Sequence, residues 1–149
     1  MLTGPPKLRT CLWFHDRAKE AAEFYVTLFP DSRIDEVSEV DGDVVVVELT
    51  LGQVPYQFLQ AGPHFTLTPA ASISVLTEDQ AETDHLWDKL SDGGEEGLCG
   101  WLTDRFGVSW QIVPRRLLEL QGGPDAETVR AAMFKMKKIE IAALEEAAA

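Results

Sequence analysis

Residues 97–114 read GLCGWLTDRFGVSWQIVP, and this stretch decides the fold. Its middle, DRFG at residues 104–107, predicts a tight turn, because Asp hydrogen-bonds its own backbone and Gly adopts positive φ without a steric penalty. After the turn, positions Val108–Val113 alternate between the two faces of a strand. The stretch therefore predicts a strand, a turn and a second strand, with Gln111 on the same face as Ser109 and Val113.

The pattern of the second strand occurs twice in the chain. Residues 54–59 (VPYQFL) and residues 108–113 (VSWQIV) share the order Val, any residue, large aromatic, Gln and two apolar residues. The two glutamines, Gln57 and Gln111, lie 54 positions apart. Matched strands at this separation predict an internally duplicated domain.

The first copy is predicted to be a β-α-β-β-β unit. Its helix is expected from about Arg17 to Phe29, with Asp16 as the N-cap and with Trp13 in the core between helix and sheet. Its strands are predicted by apolar alternation between turn signals, at Lys7–Phe14, Arg33–Val40, Val44–Leu51 and Tyr56–Ala61.

The second copy follows the linker Gly62–Pro69 and repeats this order. Its helix is expected from Asp79 to Leu90, and Trp110 is expected in the core. Its strands are predicted at Ala71–Leu76, near Glu96–Leu98, near Gly100–Thr103 and at Val108–Val113. The fold class is therefore α+β, with paired βαβββ modules at residues 7–62 and 71–114 of a single domain spanning residues 1–149.

Residues 115–149 predict a helical tail. GGP at residues 122–124 interrupts the tail, and a kink is expected near Lys138. One apolar stripe is formed by Val129, Ala132, Met133 and Met136. Such a tail needs a surface to pack on, and the sequence leaves open whether that surface belongs to its own sheet or to a partner subunit.

Composition excludes several classes of function. The net charge of −12 argues against binding nucleic acid or anionic membranes, because both are polyanions. No apolar run approaches the roughly 20 residues of a membrane helix, and the N-terminus lacks the segments of a secretion signal. Two cysteines fit reduced thiols better than a disulfide framework, so we expect a cytoplasmic protein.

Several motifs carry a resemblance to a known family. They are LWF at 12–14, AAEFY at 21–25, LFPDS at 28–32, CGWL at 99–102, GVSWQ at 107–111 and KMKKI at 135–139. With them the chain resembles the vicinal oxygen chelate superfamily, also called glyoxalase/bleomycin-resistance/dioxygenase, and within it the PhnB-like branch. The resemblance covers nearly the whole chain and implies a cavity that holds a small molecule. It also implies a homodimer, and we expect the tail to contribute to the contact.

This branch often carries the name of a 3-demethylubiquinone methyltransferase. The sequence does not support that activity. No glycine-rich loop follows the first strand, and the chain is too short for the usual nucleotide-binding methyltransferase fold.

Metal-dependent members of the superfamily take their ligands, usually His and Glu, from the first and last strands of each module. The resemblance places Thr10, Gln57, Ser72 (Ala71 if the register slips by one) and Gln111 at these positions. Transition metals bind imidazole, thiolate or carboxylate donors, so we expect no metal and no cofactor here. The three histidines are expected on the surface: His15, His64 and His85.

The expected cavity takes polar contacts from Gln57, Gln111 and Glu48, which shares a strand face with Val46 and Thr50. The remaining expected lining residues are Thr10, Leu12 and Phe14 on one face of the first strand, with Ser72, Cys99 and Trp101. Whether Cys99 and Trp101 share the face of Gln111 depends on a one-residue register that the turn does not fix.

Two functions stay open at this point. The first is a metal-free small-molecule-binding protein. The second is an enzyme, such as a lyase, isomerase or dioxygenase, with an atypical metal site or with acid–base catalysis by Glu48.

Overall fold

Each half of the chain holds one four-stranded mixed sheet with a helix packed on it, in a computed structural model that describes residues 4–149. The contacts divide the chain into unit 1, up to Leu67, and unit 2, from Thr68 onward. Both units have the order β-α-β-β-β, so the predicted α+β class with its C-terminal helices is confirmed. Among the described residues, no helix has the length and apolar character needed to cross a membrane.

Unit 1 consists of β1 (Thr10–Phe14), α1 (Ala18–Val26), β2 (Arg33–Val40), β3 (Val44–Leu51) and β4 (Val54–Gln60). The strand order is β1-β4-β3-β2, and only β1 and β4 run parallel. The predicted bounds of β2 and β3 agree with the structure, whereas β1 and α1 are shorter than predicted.

The start of α1 differs from the prediction. Asp16 is not the N-cap; that position is held by Arg17 in a left-handed conformation, and its side chain makes no capping hydrogen bond to the backbone of the helix. Instead, the amide oxygen of Gln60 accepts a hydrogen bond of 3.1 Å from the backbone N–H of Ala18. A residue of β4 therefore accepts a hydrogen bond from one of the N–H groups that the first turn of a helix leaves unpaired. Local sequence does not reveal a partner that lies on another strand.

Helix α1 covers one face of its sheet. Its small residues Ala18, Ala21 and Ala22 are fully buried and let the helix approach closely. Below them, the ring of Tyr25 meets that of Phe58 edge-on at 5.8 Å.

Unit 2 consists of β5 (Ser72–Thr77), α2 (Gln80–Ser91), β6 (Glu95–Glu96), β7 (Trp101–Thr103) and β8 (Ser109–Pro114), in the strand order β5-β8-β7-β6. Asp79 caps α2 by accepting a 2.8 Å hydrogen bond from the backbone of Glu82. Strand β6 begins one residue earlier than predicted and ends two earlier. Trp110 lies fully buried, as expected.

The DRFG turn is held by one buried carboxylate. Asp104 Oδ1 accepts hydrogen bonds from the backbone N–H groups of Phe106 (2.9 Å) and Val108 (3.0 Å). Asp104 Oδ2 accepts from the indole of Trp110 at 2.8 Å. The turn residue predicted from local preference therefore also ties the turn to the core.

The tail forms three helices, α3 (Arg115–Gln121), α4 (Ala126–Met133) and α5 (Ile141–Ala147). Their apolar stripe packs within the chain, around a cluster of Leu117, Val129, Ile139 and Leu144. The stripe therefore packs against residues of its own chain and not against a partner subunit.

The expected kink near Lys138 is a complete break between α4 and α5. The backbone oxygens of Met136 and Lys137 accept hydrogen bonds of 2.8 Å from the N–H groups of Cys99 and Gly100. The side chain of Gln80 donates to Ile139 O at 3.0 Å and accepts from the next helix at 2.8 Å. Cys99, Gly100 and Gln80 thus supply the hydrogen bonds that a continuous helix would have made within itself. The bonds from Cys99 and Gly100 also join the CGW motif to the KMKK motif.

Candidate functional site

The strand register of unit 1 brings three polar side chains together on the face opposite α1. Gln57 pairs with Cys11 on one side and with Glu48 on the other. We call this surface the Gln57 face, defined by Cys11, Glu48 and Gln57. The amide nitrogen of Gln57 donates a 2.7 Å hydrogen bond to Glu48 Oε1, so the structure brings two of the predicted site residues into contact.

Glu48 also binds a residue that the sequence analysis missed. Arg9 Nε donates to Glu48 Oε2 at 2.8 Å, and Arg9 Nη2 donates to Oε1 at 3.0 Å. This paired geometry is among the stronger forms of ion pair, and the Glu48 side chain is only 18% exposed. The hydrogen bond and the negative charge of Glu48 raise the pKa of Arg9, so the guanidinium stays charged. Alternation along β1 is the signal that points to Arg9, because it lies two positions before Cys11.

Cys11 is the thiol of the Gln57 face. Desolvation raises its pKa above the ordinary value, and the charge of Glu48 adds to the rise, while Arg9 opposes it. The thiol form therefore dominates at neutral pH, which makes Cys11 a weak nucleophile.

The residues of β1 that we expected in the cavity wall lie instead on the helix side of the strand. Leu12 and Phe14 are 8% and 2% exposed and lie under α1, where Phe14 contacts Phe58 at 4.7 Å between ring centroids. Thr10 pairs with Tyr56 and shares their side of the strand. The physical reason is that α1 needs the apolar residues of β1, which leaves Arg9 and Cys11 for the opposite face.

Trp13 is likewise not between sheet and helix. It lies on the Gln57 side of β1, half-buried, and its indole donates a 2.8 Å hydrogen bond to the backbone oxygen of Gly62. Its ring meets Phe65 edge-on at 5.0 Å. The residue therefore fastens the segment after β4 to the sheet.

The corresponding surface of unit 2 is the Gln111 face, opposite α2 and defined by Trp101, Ser109 and Gln111. Trp101 pairs directly with Gln111, which settles the register that the turn left open. Gln111 Nε2 donates to Ser72 Oγ at 2.9 Å, so Ser72 rather than Ala71 is the neighbour. Cys99 precedes β7 in a left-handed turn and is not a strand residue.

A pocket of about 460 Å³ lies on the Gln111 face. Its lining includes Leu98, Trp101, Thr103 and Ser109. The hydroxyl of Ser109 is buried, and among the described residues it has no hydrogen-bond partner. A buried polar group without a partner is destabilising, which makes this hydroxyl a natural contact for a ligand.

Metal ligands are sparse on both faces. In the described residues, no three His, Cys, Asp or Glu side chains form a group that could hold an ion. The three histidines are exposed, and His15 Nε2 lies 2.8 Å from the backbone oxygen of Phe65. On the Gln57 face, both oxygens of Glu48 are engaged by a guanidinium, whose positive charge repels a dication. The residues of this face therefore do not suit a transition metal.

A family model described as 3-demethylubiquinone-9 3-methyltransferase matches residues 6–113, which include both sheets except the last residue of β8. The chain belongs to this family. It is a PhnB-like member of the vicinal oxygen chelate superfamily, as the sequence motifs predicted. No curated protein matches it.

Solved structures agree with this assignment. The PhnB protein from Bacillus cereus is 31% identical, with a TM-score of 0.68, and the alignment covers 73% of this chain and 99% of that chain. Protein PA1353 from Pseudomonas aeruginosa is 22% identical (TM-score 0.60; 73% and 97% covered). FosX from Listeria monocytogenes, complexed with Mn(II) and sulfate, is 13% identical (TM-score 0.54; 75% and 92% covered). The last two likenesses show the fold alone.

The family description names a methyl transfer, and the first connection of this PhnB-like chain does not suit a nucleotide-based methyl donor. Strand β1 passes into α1 through His15, Asp16 and Arg17, with no glycine. Dinucleotide-type folds need glycines there, so that the backbone can approach the phosphates closely.

Proposed function

We propose that this chain is a small-molecule-binding protein that holds its ligand without a metal. The observation that carries the proposal is the engagement of Glu48, whose two oxygens accept three hydrogen bonds from Arg9 and Gln57. The carboxylate at the centre of the Gln57 face therefore serves as an acceptor within the protein. What the face offers a ligand is a set of fixed hydrogen-bonding groups.

On the Gln57 face, the ligand contacts we propose are Glu48 and Gln57. On the Gln111 face, taken by itself, they are Ser72, Trp101 and Gln111. Because Glu48 accepts only, it fixes the amide of Gln57 with its nitrogen toward the carboxylate. The carbonyl oxygen of Gln57 is then the group turned to a ligand donor.

The test is a metal titration of protein purified without a metal-binding tag. We expect zinc, nickel, manganese and iron(II) to leave the melting temperature unchanged and elemental analysis to find no stoichiometric metal. A metal present at 100 times its Kd would add about 2.7 kcal/mol of stability, which is a rise of several degrees for a chain of this size. Such a rise, with one bound ion per chain, would overturn the metal-free proposal.

Acid–base catalysis by Glu48 loses support from the geometry. A general base needs a free lone pair within hydrogen-bonding reach of its substrate, and three of the roughly four acceptor positions of this carboxylate are already taken by Arg9 and Gln57. We therefore favour binding over a lyase, isomerase or dioxygenase reaction at this residue.

We further propose that the protein is a cytoplasmic homodimer. The tail stripe packs within the chain, so the exposed side chains Leu118 (48%) and Phe134 (58%) are what the tail offers to a partner copy. Light scattering at micromolar concentration tests this. A monomer would refute the dimer, and an unchanged dimer for the double variant Leu118→Ser/Phe134→Ser would remove the tail from the contact.

A further inference from the structure

One row of polar residues crosses the sheet of unit 2 in register. Glu95 of β6 pairs with Thr103 of β7, Thr103 pairs with Ser109 of β8, and Ser109 pairs with Ser72 of β5. The four residues therefore lie side by side on the Gln111 face, three hydroxyls ending in one carboxylate. Thr103, Ser109 and Glu95 also line the 460 Å³ pocket described above.

The carboxylate of Glu95 is available to a ligand. Its neighbour Glu96 also lines the pocket, but its carboxylate is already engaged: Oε1 accepts a 2.9 Å hydrogen bond from the indole of Trp87 on α2, and Oε2 lies 3.9 Å from Lys137 Nζ. In the part of the chain that the structure describes, the side chain of Glu95 takes part in no hydrogen bond or ion pair. None of the described residues that line the pocket is a Lys, Arg or His.

The pocket wall beside this row is apolar and partly aromatic. Trp101 lies next to the row on β7, and Leu98, at the edge, is 59% exposed. Such a wall suits a flat hydrocarbon body, and exposed apolar surface at a concave site is typical of ligand binding. The buried, unpartnered hydroxyl of Ser109 adds one fixed polar contact.

We propose that this pocket binds a planar organic cation, of the aromatic amine or amidine class. The flat body lies against Trp101 and Leu98, the charged nitrogen donates to Glu95, and Ser109 Oγ forms a further hydrogen bond. The inference rests on the proposed small-molecule binding and adds the chemical class of the ligand. It needs no covalent step.

The test uses three probes of nearly equal shape, in the full-length protein at physiological salt. Benzamidine is a cation, benzamide is neutral and benzoate is an anion. We expect benzamidine to bind at least tenfold more tightly than benzamide and benzoate to show no binding by calorimetry. Benzamidine is also expected to move the indole N–H resonance of Trp101 and to leave that of buried Trp110 in place.

Two variants separate the contacts. Glu95→Gln is expected to abolish the preference for benzamidine over benzamide. Ser109→Ala is expected to weaken both probes and keep the preference, without lowering the melting temperature, because it removes a buried hydroxyl that has no partner in the free protein. The matched control is Glu127→Gln on α4, which changes the net charge equally and is expected to leave binding unchanged.

Each remaining outcome would overturn the inference. Equal binding of benzamidine and benzamide would refute the cation class while supporting ligand binding at this pocket. An equal loss in Glu95→Gln and Glu127→Gln would assign the preference to overall charge. Absence of binding by all three probes would refute the pocket as a site for this class, whereas the metal-free proposal fails only on the metal titration.

Discussion

Replacement of Asp104 by alanine is the sharpest test of how this fold is held. The side chain is 4% exposed and accepts hydrogen bonds from two backbone N–H groups and from the indole of Trp110. In Asp104→Ala all three donors lose this acceptor. Two of the donors, Val108 N–H and Trp110 Nε1, take part in buried hydrogen bonds and have no easy access to water.

The expected loss follows from these two donors. A buried group left without its partner costs about 1–3 kcal/mol, so we expect Asp104→Ala to lower the free energy of unfolding by about 2–6 kcal/mol. Asp104→Asn is expected to lose less, about 1.5–3 kcal/mol, because its oxygen keeps the backbone contacts while its NH₂ group faces the indole donor. Such losses are a large share of the total stability of an ordinary domain.

Urea denaturation measures both values. The control is Asp43→Ala, an exposed aspartate of the β2–β3 turn, for which we expect a change within about 0.5 kcal/mol. A loss below about 1 kcal/mol for Asp104→Ala would refute the assignment of this carboxylate as the anchor of the turn. Equal losses for Asp104→Ala and Asp104→Asn would refute the contribution of the two backbone hydrogen bonds, and an unchanged stability of Asp104→Asn would refute that of the indole hydrogen bond.

Three further predictions concern other parts of the chain. Glu48→Gln removes a charge that raises the pKa of Cys11. In a protein whose other cysteine has been replaced, iodoacetamide should therefore alkylate Cys11 faster at pH 8 than it does with Glu48 present. An unchanged or slower rate would contradict the effect of the Glu48 charge on this thiol. Gly100→Ala should lose at least ~1 kcal/mol more stability than Gly42→Ala, because both have positive φ but only at Gly100 would a Cβ lie 2.8 Å from a backbone oxygen of β8; urea midpoints decide this. Leu144→Ala should cost about 2–5 kcal/mol in thermal unfolding, and a neutral result would show that the tail core is not built within the chain.

The repeated strand pattern was enough to predict the architecture. Gln57 and Gln111 do occupy matched strands, β4 and β8, and each of these strands runs parallel to the first strand of its unit. The buried side of α2 also has helical spacing, since its buried residues are Thr83, Leu86, Trp87 and Leu90. Local patterns sufficed wherever one face of an element is apolar and the other is polar.

The site was harder to predict because β1 has no clean alternation. Cys11 and Trp13 are apolar in character and Thr10 is polar, so the polarity pattern assigns the helix-facing and open faces of the strand the wrong way round. Only the packing of Phe14 against Phe58 under α1 decides the face, and this contact lies 44 positions away in sequence. Because side chains alternate with a period of two, the single-residue error exchanged Thr10, Leu12 and Phe14 for Arg9 and Cys11.

That exchange changes the chemistry of the Gln57 face. With Thr10 beside Gln57, Glu48 would be an unpaired carboxylate on a part-apolar surface, open to a metal or to proton transfer. With Arg9 there, the charge of Glu48 is neutralised within the unit, and the surface keeps only directional hydrogen-bonding groups. Among the described residues, no such cation lines the pocket on the matched surface of unit 2, and the side chain of Glu95 forms no ion pair. The two copies of one strand pattern thus differ in charge. On the Gln57 face Glu48 is paired with Arg9, whereas on the Gln111 face the carboxylate of Glu95 is open to the cationic group of the ligand class that we propose.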